Sequence, residues 1–318
     1  MTKLRAAAVN ACYTPPMPAV ARIDPKDVFT PEEWAPLARR SSWFGLACVA
    51  GAWGLIIGAA TLFIAWPNPL TFILAVMIIG ARQLGLAILM HDAAHGALHS
   101  NQKINDWVGE WLCAAPVGAR LVSYRNYHLK HHKFTEQPED PDLSLSAPFP
   151  ITRTSLRRKM LRDLTGQTFL KQRGAQLFGG RKDGEVVNAS TSHFLIANAV
   201  LLAICIVTGH WWAYPALWLL PLATWFQFVT RIRNIAEHAC VDTREDPFTH
   251  ARTTLANPLE RLLIAPYWVH FHAEHHVFMH VPCYRLSRLH RLLMDKGYRE
   301  RMRIARGYFE VLHIAAPA

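Results

Sequence analysis

SSWFGLACVAGAWGLIIGAATLFIAWPNPLTFILAVMIIGA, Ser41 to Ala81, runs for 41 residues without an Asp, Glu, Lys or Arg. One membrane-spanning helix needs about 20 apolar residues, so the stretch holds two. Pro67, Asn68 and Pro69 near its middle supply the turn between them. The pattern predicts a helical hairpin across a bilayer, with spans at about 42–66 and 70–90. A second charge-free gap, Val186 to Thr230, covers 45 residues and is weakest from Gly209 to Pro215. It predicts a second hairpin with spans at about 192–208 and 212–230. Trp66, Trp211, Trp212 and Tyr214 then fall at headgroup depth, where aromatic rings are favoured.

All 34 Lys and Arg residues lie outside these gaps, in segments 1–40, 82–185 and 231–318. An even number of crossings between segments puts all three on one side, and the positive-inside rule makes that side cytoplasmic. A hydrophobic content of 51% with 18% charged residues, too apolar for an ordinary soluble enzyme, agrees with insertion. The net charge of +11 fits anionic lipid or an acidic protein partner; without a zinc-finger, RRM or basic-zipper pattern, nucleic acid is excluded. Six scattered cysteines with no CxxC pair exclude a disulfide framework, an iron–sulfur motif and a thiolate zinc site. The first thirty residues carry Pro15, Pro16 and Pro18 and no signal-peptide-like apolar run, so 1–40 is expected to be a retained, mobile cytoplasmic segment.

Histidines dominate the basic segments. HDAAHGALH carries His91, His95 and His99; HLKHH carries His128, His131 and His132; NIAEH carries Asn234 and His238; HAEHH carries His272, His275 and His276. Spacings of i, i+3 and i+4 put side chains on one helical face, where their nitrogens can turn to one point. His91 follows Arg82 by nine residues and His238 follows Arg231 by seven, which places these ligands roughly 10 to 13 Å beyond the arginines if the helices continue. The set expected to bind metal is His91, His95, His128, His131, His132, His238, His272, His275 and His276. Nine imidazoles exceed one ion's coordination and favour two metals, with iron, copper or zinc suited to nitrogen donors. A pair of irons can activate dioxygen, whereas zinc supplies no redox chemistry, and the HExxH peptidase pattern is absent.

Around this set, Asp92, Glu237 and Glu274 either accept a ligand's second ring N–H or are plain surface carboxylates. Asp140 and Asp142 either orient HLKHH or end its helix, while His99, His270 and His280 continue helical or near-helical spacing from the boxes. Arg82 and Arg231 are expected to be interfacial anchors with snorkelling stems.

HDAAHG at His91 to Gly96, HLKHH with the acidic turn to Asp142, and HAEHH, in this order with a hairpin before the first and another before the last, resemble the histidine boxes of the integral-membrane fatty acid desaturase and hydroxylase superfamily, bacterial acyl-lipid desaturases most of all. The likeness covers about residues 42–290. It implies an all-α membrane protein: four transmembrane helices in two hairpins under a cytoplasmic histidine-rich helical cap, in a bacterial inner membrane. The implied cofactors are two iron ions with O2 as co-substrate, and the implied substrate is an acyl lipid or another long apolar molecule. By the same resemblance Asn234 holds a water on one iron while His238 binds the other.

Desaturation of a fatty acyl chain is the leading expectation, with hydroxylation or carotenoid ring oxidation on the same di-iron site as the alternative and a non-catalytic membrane metal-binding protein as a distant third. No fused cytochrome b5 HPGG motif or ferredoxin cysteine pattern occurs, so electrons are expected from a separate ferredoxin- or cytochrome b5-like protein. Ile104 to Ala119 and Leu255 to Phe271 are too short or too polar to span and are placed at the membrane interface. The domain plan is 1–40 N-terminal segment, 41–290 membrane domain, and 291–318 tail. The stretch from Arg285 to Arg306 is expected to be an amphipathic helix lying on anionic lipid or receiving an acidic redox protein.

Overall fold

The chain, a computed structural model, is described over residues 19–178, 188–241 and 246–317 and is mostly helical. Helices α1 (Phe44–Ala65) and α2 (Pro69–Ala94) form the first predicted hairpin, and both are long and apolar enough to cross a membrane. Their turn closes as its residues dictate. Asn68 Oδ1 accepts the Leu70 and Thr71 N–H groups, Pro69 fills the first helical position where no N–H is needed, and the Thr71 hydroxyl donates to the Trp66 carbonyl. A cap of this kind contributes about 1 kcal/mol. One side of α1 is bare and apolar, with Ile57 61% exposed, whereas α2 is buried from Ile79 to Ala94 at every position but Ala87. Helix α2 is the post against which the other elements pack.

Beyond it come α3 (Leu121–Phe134), α4 (Arg153–Leu164) and α5 (Gln167–Phe178), then the apolar α6 (Asn188–Val207), which contains the predicted third span. The predicted fourth span is not one helix. Tyr214–Leu219 winds as a π-helix, Leu220–Ala223 is a short α-helix, and the chain breaks at Thr224 (φ −120°, ψ −84°) before α7 (Trp225–His238). Pro215 and Pro221 each remove a backbone donor, and such gaps disrupt a regular ladder. Among the described residues, two helices, α1 and α2, meet the length and composition for crossing.

A short sheet accompanies the helices. Strands β1 (Arg252–Thr254) and β2 (Arg303–Ala305) pair in parallel, Thr253 opposite Ile304, and Thr253 also bridges Phe271. Three-residue strands are too short to show the two-residue alternation that marks a strand in sequence. Between and after them lie α8 (Pro258–Leu263), α9 (His272–Val277), α10 (Leu286–Asp295) and α11 (Tyr308–Ala315). The tail does not lie free on a surface. Leu286, Leu289 and Leu293 of α10 face inward, and α11 buries Tyr308, Val311 and Ala315 in the same apolar cluster as Ile232 and Ile235 of α7. Residues 1–18 of the N-terminal segment lie outside the described residues, but its second half is packed: Phe29 and Leu37 are buried, and Trp34 meets the Phe278 ring at 5.4 Å.

Neither arginine expected as a snorkelling anchor is one. Arg82 is buried and its Nη2 donates to the carbonyls of Leu262, at 2.6 Å, and Arg261, closing the end of α8. Arg231 Nη2 donates to Asp163 Oδ1 at 2.8 Å, its Nε donates to the other oxygen, and the Thr168 hydroxyl donates to Oδ1 at 2.6 Å. Asp163 is fully buried, so α4, α5 and α7 are tied through one carboxylate. Asp163→Ala should lower stability by about 3 kcal/mol, since it strands a partly buried guanidinium; a fall in the thermal midpoint of the detergent-purified protein checks this, and an unchanged midpoint contradicts it.

Candidate metal centre

Four elements deliver the nine predicted histidines to one place. His91 sits in the last turn of α2, and His95 follows as its cap residue. Helix α3 presents His128, His131 and His132; the end of α7 presents His238; α9 presents His272, His275 and His276. The imidazoles form two groups: His91, His95, His128, His132 and His275 in one, and His131, His238, His272 and His276 in the other. Within each group the ligand nitrogens lie within 4.8 Å of one another. The split cuts across HLKHH and HAEHH: the i and i+4 histidines stay together on one line of the helix, His128 with His132 and His272 with His276, while the i+3 histidine of each, His131 or His275, turns to the other group.

The far nitrogens fix the chemistry. His131 Nδ1 lies 2.8 Å from Asp140 Oδ1, His238 Nδ1 lies 2.9 Å from the His250 carbonyl, and His272 Nδ1 lies 3.3 Å from Glu237 Oε1. Each Nδ1 carries the proton toward oxygen, which leaves Nε2 with a bare lone pair. Yet His272 Nε2 and His238 Nε2 are 2.9 Å apart, and His131 Nε2 and His276 Nε2 are 3.3 Å apart. In the other group His132 Nε2 stands 3.0 Å from Nε2 of both His128 and His275, while His91 Nε2 and both His95 nitrogens are buried without a partner. Lone pairs converging in a dry interior repel unless a cation lies among them, so the donor set fits two metal ions. Burial holds His128, His132, His238, His272, His275 and His276 well below the ordinary imidazole range, so they stay neutral, the form that binds metal.

The supports differ from one another. Asp140 also accepts the backbone N–H groups of Glu136 and Asp142, both at 2.8 Å, so the acidic turn is folded around His131. Glu237 stands between His272 and Arg233, whose Nε is 2.5 Å away; burial pushes its carboxyl up to about 7 against the pull of that guanidinium. Glu274, expected either to orient a ligand or to lie on the surface, does neither. It accepts the Thr253 hydroxyl and faces His290 Nδ1, both at 2.5 Å, clamping α9 to β1 and α10. Asp92 accepts the Cys283 N–H at 2.9 Å and is 3.8 Å from His91 Nδ1. His99 joins neither group: its Nδ1 accepts the Asn101 N–H at 2.9 Å. His270 faces the Thr254 carbonyl instead. Asn234 lines a cavity of about 30 Å³ with His128, His131, His238 and His272.

Three supports escaped the sequence reading. The His250 carbonyl is backbone and has no sequence signature. Arg252 closes the end of α7 by donating to the carbonyls of Ala236 and Ala239, at 3.1 and 2.7 Å, and so fixes the turn bearing His238. Tyr124 stacks on His128 with ring centroids 5.2 Å apart and planes 9° from parallel. Tyr124 lies one turn before His128, a spacing that could have been noticed. A larger cavity of about 220 Å³ reaches His132 and His276 from outside beneath Arg22, Ile23 and Trp34.

Two outcomes follow from these contacts. Asp140→Asn should weaken metal binding by the four-histidine group about 10- to 100-fold, measured by chelator competition; unchanged retention would contradict the orienting role. The six imidazoles depressed by burial bind protons less readily folded than unfolded, where the ordinary value is 6.5. Stability of the metal-free protein should therefore be full above that value and fall as pH drops below it. Thermal melts of chelator-treated protein between pH 8 and pH 5 test the sign, and a midpoint that rises on acidification contradicts it.

Comparison with known proteins agrees with this geometry. Residues 64–308 match the fatty acid desaturase family. A dihydrorhizobitoxine desaturase of Bradyrhizobium elkanii is 27% identical over 264 residues, covering 75% of this chain and 72% of its own length. A beta-carotene ketolase of Paracoccus sp. (strain PC1) is 25% identical over 244 residues, covering 74% of this chain and 86% of its own. With the family match taking in all four histidine-bearing elements, α2, α3, α7 and α9, the chain belongs to the fatty acid desaturase family.

Proposed function

We propose that this protein is an oxygen-dependent membrane oxidoreductase that holds two irons in the two histidine groups and introduces a double bond into a fatty acyl chain. The observation that carries the reading is the division of nine imidazoles, eight of them buried, into sets of five and four, with three far nitrogens facing oxygen acceptors. Sets of that size leave positions free on ions that take up to six ligands. Two bound irons supply two-electron activation of dioxygen, an oxidant able to break an unactivated C–H bond.

The chain's own contribution is placement and dryness. Asp140, Glu237 and the His250 carbonyl hold ring protons away from the metal-facing nitrogens. Asn234, beside the four-histidine group, is suited to hold a water there. An acyl substrate gains about 0.8 kcal/mol for each buried methylene, and its seating against these groups chooses the carbon attacked. Four apolar segments with every Lys and Arg outside them support a multi-pass protein whose centre faces the cytoplasm of a bacterial inner membrane. Electrons then come from a separate ferredoxin- or cytochrome b5-like donor.

A second reading, oxygen insertion to a hydroxyl or keto product, is favoured by the carotene ketolase relative. Expression in a host with analysis of its lipids and pigments separates the two: products lighter by two hydrogens support desaturation, and products with added oxygen support the rival. Purified protein should carry about two irons per chain, the number that two donor groups can hold. His275→Ala should still insert into membranes yet lose metal and activity; wild-type turnover by that variant would sink the assignment.

A further inference from the structure

Beside His91, His272 and His275 lies a cavity of about 10 Å³, also lined by Ile88, Tyr267 and Cys283. That volume admits about one water and no carbon chain. If the substrate is apolar, as proposed above, something at this wall has to move. Ile88 and Cys283 are buried, whereas Tyr267 is partly exposed and belongs to an irregular segment between α8 and α9.

Four observations single out this ring. Tyr267 and Trp268 are consecutive non-glycine residues at positive φ, 53° and 58°, a conformation that costs free energy and is retained where surroundings enforce it. The Tyr267 ring lies flat enough against α2 that a Cβ on Gly85 would come within 2.7 Å of its Cε2. Its hydroxyl donates to the Cys48 carbonyl of α1 at 2.9 Å, which ties it to the apolar hairpin. Arg82, holding the end of α8, lies 5.7 Å from the ring centroid. Gly85 precedes His91 by six residues, about 9 Å along the helix, so the ring stands on the bilayer side of the cavity. Outside it, Leu259 of α8 is 64% exposed and Leu262 is partly so, an apolar apron at the entrance.

We propose that Tyr267 is the gate through which a slender apolar chain enters the chamber beside His91 and His275, and that its ring limits the girth of what passes. Swinging about its strained turn, the ring trades the Cys48 hydrogen bond for an open path along the glycine face of α2. The missing side chain at Gly85 and the partly exposed position of the ring make that swing easier than displacing the buried Ile88.

Cys283 reports on the path without any metal or turnover. In protein reconstituted into lipid discs, labelling by an apolar maleimide is followed cysteine by cysteine with peptide mass spectrometry; Cys113, fully buried elsewhere, reports on the fold. Wild type and Tyr267→Phe, which keeps the ring, should label Cys283 slowly. Tyr267→Ala should label it at least about tenfold faster while Cys113 stays protected, as expected when one local barrier is removed. Gly85→Ala, which pushes the ring aside, should also raise the rate, and it decides the matter if Tyr267→Ala exposes Cys113 and has therefore lost its fold. Continued protection of Cys283 in a folded Tyr267→Ala or in Gly85→Ala overturns the gate. A host that makes no oxidised product with the wild-type gene counts against the proposed function alone, because the labelling rates do not depend on it.

Discussion

Imidazole lone pairs crowded together without water repel one another, and this protein crowds nine of them. Everything around the centre can be understood as the means of bearing that repulsion until cations offset it. Helix α2 buries its far half so completely because it is the post carrying two of the rings. Helix α9, only six residues long, has no stability of its own; the Glu274 clamp and the bridge between Thr253 and Phe271 hold it. Helix α7 keeps its last turn through Arg252. The short parallel sheet thus serves the site, joining the segment before α9 to the C-terminal residues.

The same constraint explains where charge is buried. Asp140 and Glu237 are costly to desolvate, yet each faces the proton-bearing nitrogen of a ring whose other nitrogen must stay bare. Asp163 and Arg231, away from the histidines, do a different job: they fix α7 against α4 and α5 and so set where His238 arrives. Orientation and position are supplied by separate carboxylates. Dryness is supplied by the apolar wall, of which Tyr267 is the partly exposed and backbone-strained member.

Much of this was legible in the residues. The charge-free gap from Ser41 to Ala81 with its Pro67, Asn68 and Pro69 turn dictates α1 and α2, because periodicity and capping act over a few residues. Histidines at i, i+3 and i+4 announce shared helical faces for the same reason. The segmentation of the fourth apolar stretch was not legible, because hydropathy registers composition and is blind to the donors that Pro215 and Pro221 remove. The amphipathic pattern of the tail says that one face of α10 is apolar without saying what covers it; here the protein's own cap does.

By itself the sequence determined which side chains have the chemistry, which helices carry them and on which face. It could not determine that His131 parts from His132, or that His276 parts from His275, to make groups of four and five. Nor could it assign Glu274 to a clamp, Asp140 to a ring, or a backbone carbonyl at His250 to His238. The grouping depends on contacts between rings more than a hundred positions apart, and the supports depend on loop partners and a backbone atom that carry no sequence signature. Only the packing of α2, α3, α7 and α9 against one another decides them.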